Sequence, residues 1–236
     1  APHLVVNVLP YFAYGVCYVM LILAGHIAGW AGLFTYRGEP MHVIAAVEVG
    51  LTIALGGHIL AGGVAENTIR RFWARVQADQ EQAPLYRPAH FNQILERFYI
   101  GERNRFLVAV TLCSALVLAG VLLALRAGER LGVTVLPWSE ATTSLFLYGL
   151  IGYGLLAWGS FNCTFMISLS RPSDAIRCLV VGILITLLQG VGLSLVVAFQ
   201  YSAIGIIVGS LSFAVVASNR LRDLLTRADY YYYASF

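Results

Sequence analysis

Phe106-Leu-Val-Ala-Val-Thr-Leu-Cys-Ser-Ala-Leu-Val-Leu-Ala-Gly-Val-Leu-Leu-Ala-Leu125 carries no charged side chain, and it is entered past Arg97, Arg103 and Arg105 and left past Arg126 and Arg130. Crossing roughly 30 Å of hydrocarbon at about 1.5 Å per residue takes about 20 apolar residues. Lipid gives an exposed backbone no hydrogen-bond partner, so such a run must be helical. Working outward from it, five further stretches have the same character: 5–33, 43–65, 141–169, 175–199 and 202–218. The chain therefore reads as an all-α, polytopic integral membrane bundle of about six transmembrane helices, one transmembrane domain spanning 1–236. Composition agrees, because 59% hydrophobic residues, 11% charged residues and a mean hydropathy of +0.76 lie far from soluble values.

Connections carry the orientation. Arg70, Arg71, Arg75, Arg87, Arg97, Arg103 and Arg105 fall between the second and third spans, Arg171 and Arg177 between the fourth and fifth, and Arg220, Arg222 and Arg227 in the tail. Strict alternation of six spans puts these twelve on one face, against Arg37, Arg126 and Arg130 on the other. By the positive-inside rule both termini, the segment 66–105 and the tail 219–236 are cytoplasmic. Trp30, Tyr36, Trp138 and Tyr201 at outer span ends, and Trp73, Tyr99 and Tyr230 to Tyr233 near inner ends, read as interfacial aromatic belts. The net charge of +3, all of its basic residues being Arg, says nothing about partners, and no nucleic-acid partner is expected.

The segment 66–105 is the one soluble-looking region. Its first part continues the second helix past the membrane until Ala83-Pro84 breaks it. Its second, 91–106, puts Ile94, Leu95, Phe98 and Tyr99 on one side as an amphipathic lead-in to the third span. Arg70, Arg71, Arg75, Arg97 and Arg103 there are solvated or headgroup-facing, or else hold anionic lipid phosphates or a cytoplasmic partner.

Ionisable groups deep in a span mark protein interiors or cavities. Glu48 and His26 both lie roughly 10 Å below the outer surface, counted at about 1.5 Å per residue, and adjacent antiparallel helices could pair them. The pair would relieve the desolvation of both, either as a static hydrogen bond or as part of a proton-coupled or substrate-gated step. His58 lies near the other end of its helix, as a packing histidine or facing a cytoplasmic cavity. Gln189, near mid-membrane, is the member of the small-residue stripes that could line a path, and Asn162 near the inner end of the fourth span is a further candidate. The stripes themselves, including Gly205-Ile-Ile-Val-Gly209, read as close helix packing.

No clustered carboxylates, His-Glu-x-x-His, Gly-x-Ser-x-Gly or Walker lysine is present, and Cys17, Cys113, Cys163 and Cys178 form no Cys-x-x-Cys pair. Neither a metal, a cofactor nor a disulfide is expected. A carrier, or a non-catalytic subunit, fits these features better than an enzyme. The start, Ala1-Pro2-His3 without Met, suggests a piece of a longer protein.

Leu9-Pro-Tyr-Phe-Ala-Tyr-Gly-Val-Cys-Tyr-Val-Met, Val47-Glu-Val-Gly-Leu, Arg97-Phe-Tyr and Ala228-Asp-Tyr-Tyr-Tyr-Tyr-Ala-Ser-Phe resemble bacterial exopolysaccharide transporters of the PelG type, which are similar to the MATE-like multidrug/oligosaccharidyl-lipid/polysaccharide flippases. Ala24-Gly25-His26 and Thr52 depart from the acidic and basic residues that the resemblance leads one to expect. The resemblance implies one lobe, the C-terminal half, of an alternating-access exporter in the bacterial inner membrane. Its substrate would be a polysaccharide or a lipid-linked glycan precursor. Glu48, His26, Gln189, His58 and Asn162 would then line the cavity. Two alternatives stand beside this: a scaffold subunit docking polysaccharide synthase subunits through 66–105, and a membrane transferase.

Overall fold

The computed structural model describes residues 2–82, 88–132 and 138–227, with the side chains of 2–7, Trp73, 75–82 and 88–91 left aside. Six α-helices follow one another: α1 Pro2–Trp30, α2 Pro40–Gln82, α3 Pro88–Leu131, α4 Glu140–Ser168, α5 Pro172–Val196 and α6 Ser202–Leu225. Each contains a stretch long and apolar enough to cross a bilayer, and the described residues include no strand. The protein is an all-α, multi-pass membrane bundle of six spans, as the sequence led us to expect.

Helix ends follow local chemistry. Pro40, Pro88 and Pro172 each stand first in a helix, where the N–H that proline lacks would have had no partner. Ser139 caps α4 reciprocally: its Oγ accepts from the Thr142 N–H at 3.1 Å, and Thr142 Oγ1 accepts from the Ser139 N–H at 3.3 Å. At the other end of α4 the chain turns through Ser170 at φ 58°. The Ser170 N–H donates to the Ile167 carbonyl and the Arg171 N–H to that of Met166, both at 2.9 Å, closing a Schellman turn directly before Pro172.

The second helix and the third span's lead-in are continuous with their membrane segments, so α2 runs 43 residues and α3 runs 44. At about 1.5 Å per residue each is about 65 Å long, roughly twice the hydrocarbon thickness. The expected break at Ala83-Pro84 lies outside the described residues.

α4 and α6 form the centre and pack on each other. α2 lies against α4, α5 against α6, α1 against α5, and α3 on the outside of α2. Lipid tails are as apolar as leucine, so burial alone does not hold helices together in a bilayer. Close packing and internal hydrogen bonds must do so. The α5–α6 seam shows this directly. A Cβ on Gly205 would stand 2.5 Å from Gly190 Cα, and one on Gly209 would overlap the Thr186 hydroxyl and sit 2.8 Å from the Gly182 carbonyl oxygen. The small-residue stripes read in the sequence are these contacts.

At the end where α1 begins and α6 ends, called here the arginine-rich end for Arg70, Arg71, Arg103, Arg105, Arg177, Arg220 and Arg222, aromatic rings join three helices. Phe106 of α3 stacks on Phe161 of α4 at 4.4 Å between ring centres, Phe161 meets Phe165 at 5.1 Å, and Phe165 meets Phe72 of α2 at 5.2 Å and Tyr99 of α3 at 5.4 Å. Such pairs add about 0.5–1.5 kcal/mol each beyond simple contact. This cluster forms one wall of the cleft described next.

Candidate functional site

Between α1 and α2, floored by α4, lies a cleft of about 260 Å³. Helical spacing builds it. Tyr14 and Tyr18 are one turn apart on α1, His58, Gly62 and Ile69 share one face of α2, and Ala157, Ser160 and Thr164 share one face of α4. Phe106 and Phe161 supply its apolar side, and Glu66 stands at its arginine-rich end. A Cβ placed on Gly62 meets no atom within 4 Å, so the cleft is open at that point.

Its polar groups are unevenly occupied. The Tyr18 hydroxyl is hydrogen-bonded to His58 Nε2, whose ring lies 5.9 Å from the Tyr18 ring, while buried His58 Nδ1 has no partner. Tyr14 stacks on Tyr18 at 6.2 Å. Ser160 and Thr164 donate their hydroxyl protons to backbone carbonyls one turn back, at 2.8 and 2.9 Å. Their oxygens thus face the cleft as acceptors only. Aromatic faces beside hydroxyl acceptors and an imidazole make a lining that can bind a ring bearing hydroxyl groups.

The pairing of Glu48 with His26 is not formed. Glycines decide this: a Cβ on Gly29 would meet Val47 of α2 at 2.8 Å, and one on Gly25 would meet Ile206 of α6 at 2.4 Å and Leu51 of α2 only at 3.7 Å. α1 therefore meets α2 at Gly29 and Val47 and meets α6 at Gly25, and His26 and Glu48 each stand one residue along their helix, about 100° off these contacts. His26 is buried, lies edge-on to Trp30 at 6.4 Å, and has an unpartnered Nδ1. Glu48 lies near the Tyr153 phenol with a buried, unpartnered Oε1, and Tyr153 donates to the Ile22 carbonyl at 3.4 Å.

Asn162 does not line the cleft; it is a pin. Fully buried, it accepts from the Tyr99 hydroxyl at 2.8 Å and donates to Ser218 Oγ at 2.8 Å, joining α3, α4 and α6. Tyr99, read as an interfacial aromatic, is buried by the same bond. Gln189 is exposed on the outer side of α5, while its neighbours Thr186 and Gly190 face α6.

The arginines divide. Arg70 pairs with Glu66 one turn back at 2.8 Å, both exposed, and Arg97 is exposed. The Arg75 side chain lies outside the described residues, as do those of Trp73 and Tyr230 to Tyr233. Arg71 turns inward to Glu102 at 2.9 Å instead of facing headgroups, and Arg103 lies over the Tyr99 ring at 5.9 Å.

Sequence reading missed Glu102 and the partners of Asp174. The Glu102 side chain is only 4% exposed and receives Arg71, Arg105 at 2.7 Å and the Thr68 hydroxyl at 3.1 Å. Its signal was its place on the Leu95, Tyr99 and Phe106 face of α3. Asp174, isolated in sequence, is buried at the start of α5 and holds Arg220 at 3.0 Å and Arg177 at 3.7 Å. No local pattern links 174 to 220; only the α5–α6 packing does.

Compared with known proteins, the chain matches no family model, no curated protein and no solved structure.

Proposed function

We propose that this chain is a transport lobe of a bacterial inner-membrane exporter, which moves a polysaccharide or its lipid-linked precursor by alternating access, without an enzymatic step. The observation that carries the reading is the α1–α2–α4 cleft, where Tyr14, Tyr18, His58, Ser160 and Thr164 present stacking faces and hydrogen-bond acceptors inside a bundle whose lipid-facing surface is apolar. Twelve of the fifteen arginines in the sequence fall in the connections and tail on the side toward which Glu66 lines the cleft, which supports a cytoplasmic mouth and cytoplasmic termini. Gln189 supports the lobe reading. Its amide is exposed about 10 Å from the end of α5, at a depth where lipid cannot satisfy it and a facing lobe would.

The test is export in cells whose own copy carries Tyr18→Ala or His58→Ala, with membrane levels matched. About tenfold less secreted polysaccharide is expected, and export at the unsubstituted rate in both variants counts against the cleft.

A second reading, a scaffold subunit of a polysaccharide synthase complex, is favoured by the lengths of α2 and α3, which carry exposed Arg70 and Arg97 beyond the hydrocarbon. Loss of co-purified synthase subunits on Arg70→Ala with Arg97→Ala, with the Tyr18→Ala variant exporting normally, would select it.

A further inference from the structure

A second pocket, of about 310 Å³, lies at the arginine-rich end between the start of α3 and the end of α6, apart from the cleft. We propose that it binds the phosphodiester headgroup of a bilayer lipid, gripped by Arg103 and Arg222. The two residues are distinguished from their neighbours by what they lack. Arg71 and Arg105 are committed to Glu102, Arg177 and Arg220 to Asp174, and Arg70 to Glu66. Neither Arg103 nor Arg222 has a carboxylate within ion-pair distance among the described residues; Arg103 lies over the Tyr99 ring and reaches the Asn104 amide oxygen at 3.2 and 3.4 Å.

Depth fits a headgroup. Arg103 stands about one turn before the apolar run that opens at Phe106, and Arg222 about one turn past the end of the last span at Ser218. The pocket is preformed because hydrogen bonds tie α3 to α6 on both sides of it. Asn92 Nδ2 donates to the Thr226 carbonyl at 3.1 Å on one side, and Tyr99, Asn162 and Ser218 form a chain on the other. Tyr99 holds the Arg103 guanidinium over its ring, Asn219 adds an amide, and Ile100 and Leu225 offer apolar wall for the glycerol and first acyl carbons. Glu96 lines the same pocket, so its two guanidiniums and one carboxylate leave a single positive charge. That balance suits a monoanionic phosphodiester better than a diphosphate, and guanidinium geometry suits phosphate oxygens.

The test is lipid binding to the purified full-length protein by native mass spectrometry, with phosphatidylglycerol as probe. Arg222 carries it, because its exposed side chain makes no internal bond among the described residues and its replacement leaves the bundle intact. Arg222→Gln should weaken phosphatidylglycerol binding about tenfold, the loss of one charged hydrogen bond. Arg222→Lys should retain part of the affinity, Arg70→Gln all of it, and millimolar inorganic phosphate should not displace the lipid. Unchanged binding by Arg222→Gln, displacement by free phosphate, or preferential binding of an isoprenyl diphosphate at this pocket would each overturn the proposal.

Discussion

Glu102 and Arg71 show how much a single position matters once it is turned inward. A carboxylate buried beside Thr68 is tolerable only while its two guanidiniums stay. Arg71→Ala should therefore cost about 3 kcal/mol, read as thermal unfolding in detergent, and much of that loss should be recovered by adding Glu102→Gln, which removes the stranded charge. Arg70→Ala, one residue earlier, should leave the transition unmoved, because its exposed pair with Glu66 is solvent-screened. Ser170 offers the opposite sign. It holds a left-handed backbone that costs a side-chain-bearing residue about 1–2 kcal/mol, so Ser170→Gly should raise stability by up to about 1 kcal/mol, with an upward shift in melting temperature as the check. None of these roles was visible from residue type alone. Arg70 and Arg71 are adjacent in a basic run, and only the rotation of α2 against α3 separates a solvated pair from one that ends on a buried carboxylate.

At the scale of helices, what holds the bundle is contact at glycine. Because Gly205 and Gly190 meet backbone to backbone, Gly205→Ala must push α5 and α6 apart, with a cost of about 2 kcal/mol and a loss of protease resistance as the measurable result. The same substitution at Gly192, where an added Cβ would meet no atom within 4 Å, should open no gap between helices and leave protease resistance unchanged. The six spans were legible because hydropathy and the lipid's lack of hydrogen-bond partners leave one answer for Phe106 to Leu125 and the runs like it. The small-residue stripes were legible for a similar reason. The helix rotations were not. Glu48 and His26 sit at matching depths, yet the packing of Gly29 on Val47 and of Gly25 on Ile206 turns both aside, and depth counts residues without fixing azimuth. Asn162 was likewise assigned to a path when it is a three-helix pin, because a buried amide reads the same in sequence whether it faces a cavity or two hydrogen-bond partners.

For the molecule as a whole, the arrangement separates two tasks. α4, α5 and α6 form a frame closed by glycine contacts and by the Asp174–Arg220 bond, while α1 and α2 diverge over α4 to leave the cleft. Of the cleft, His58 was foreseen as a candidate, whereas Tyr14, Tyr18, Ser160 and Thr164 are brought to it by packing between helices far apart in sequence. If this cleft is the path of the transported molecule, filling it must stop release. Gly62→Trp tests it most directly, since Gly62 lines the cleft and a Cβ there meets no atom within 4 Å. Polysaccharide released by cells carrying that substitution should fall about tenfold or more, at unchanged membrane level and melting temperature of the protein. Release at the unsubstituted rate, with the indole seated in the cleft, would contradict the account.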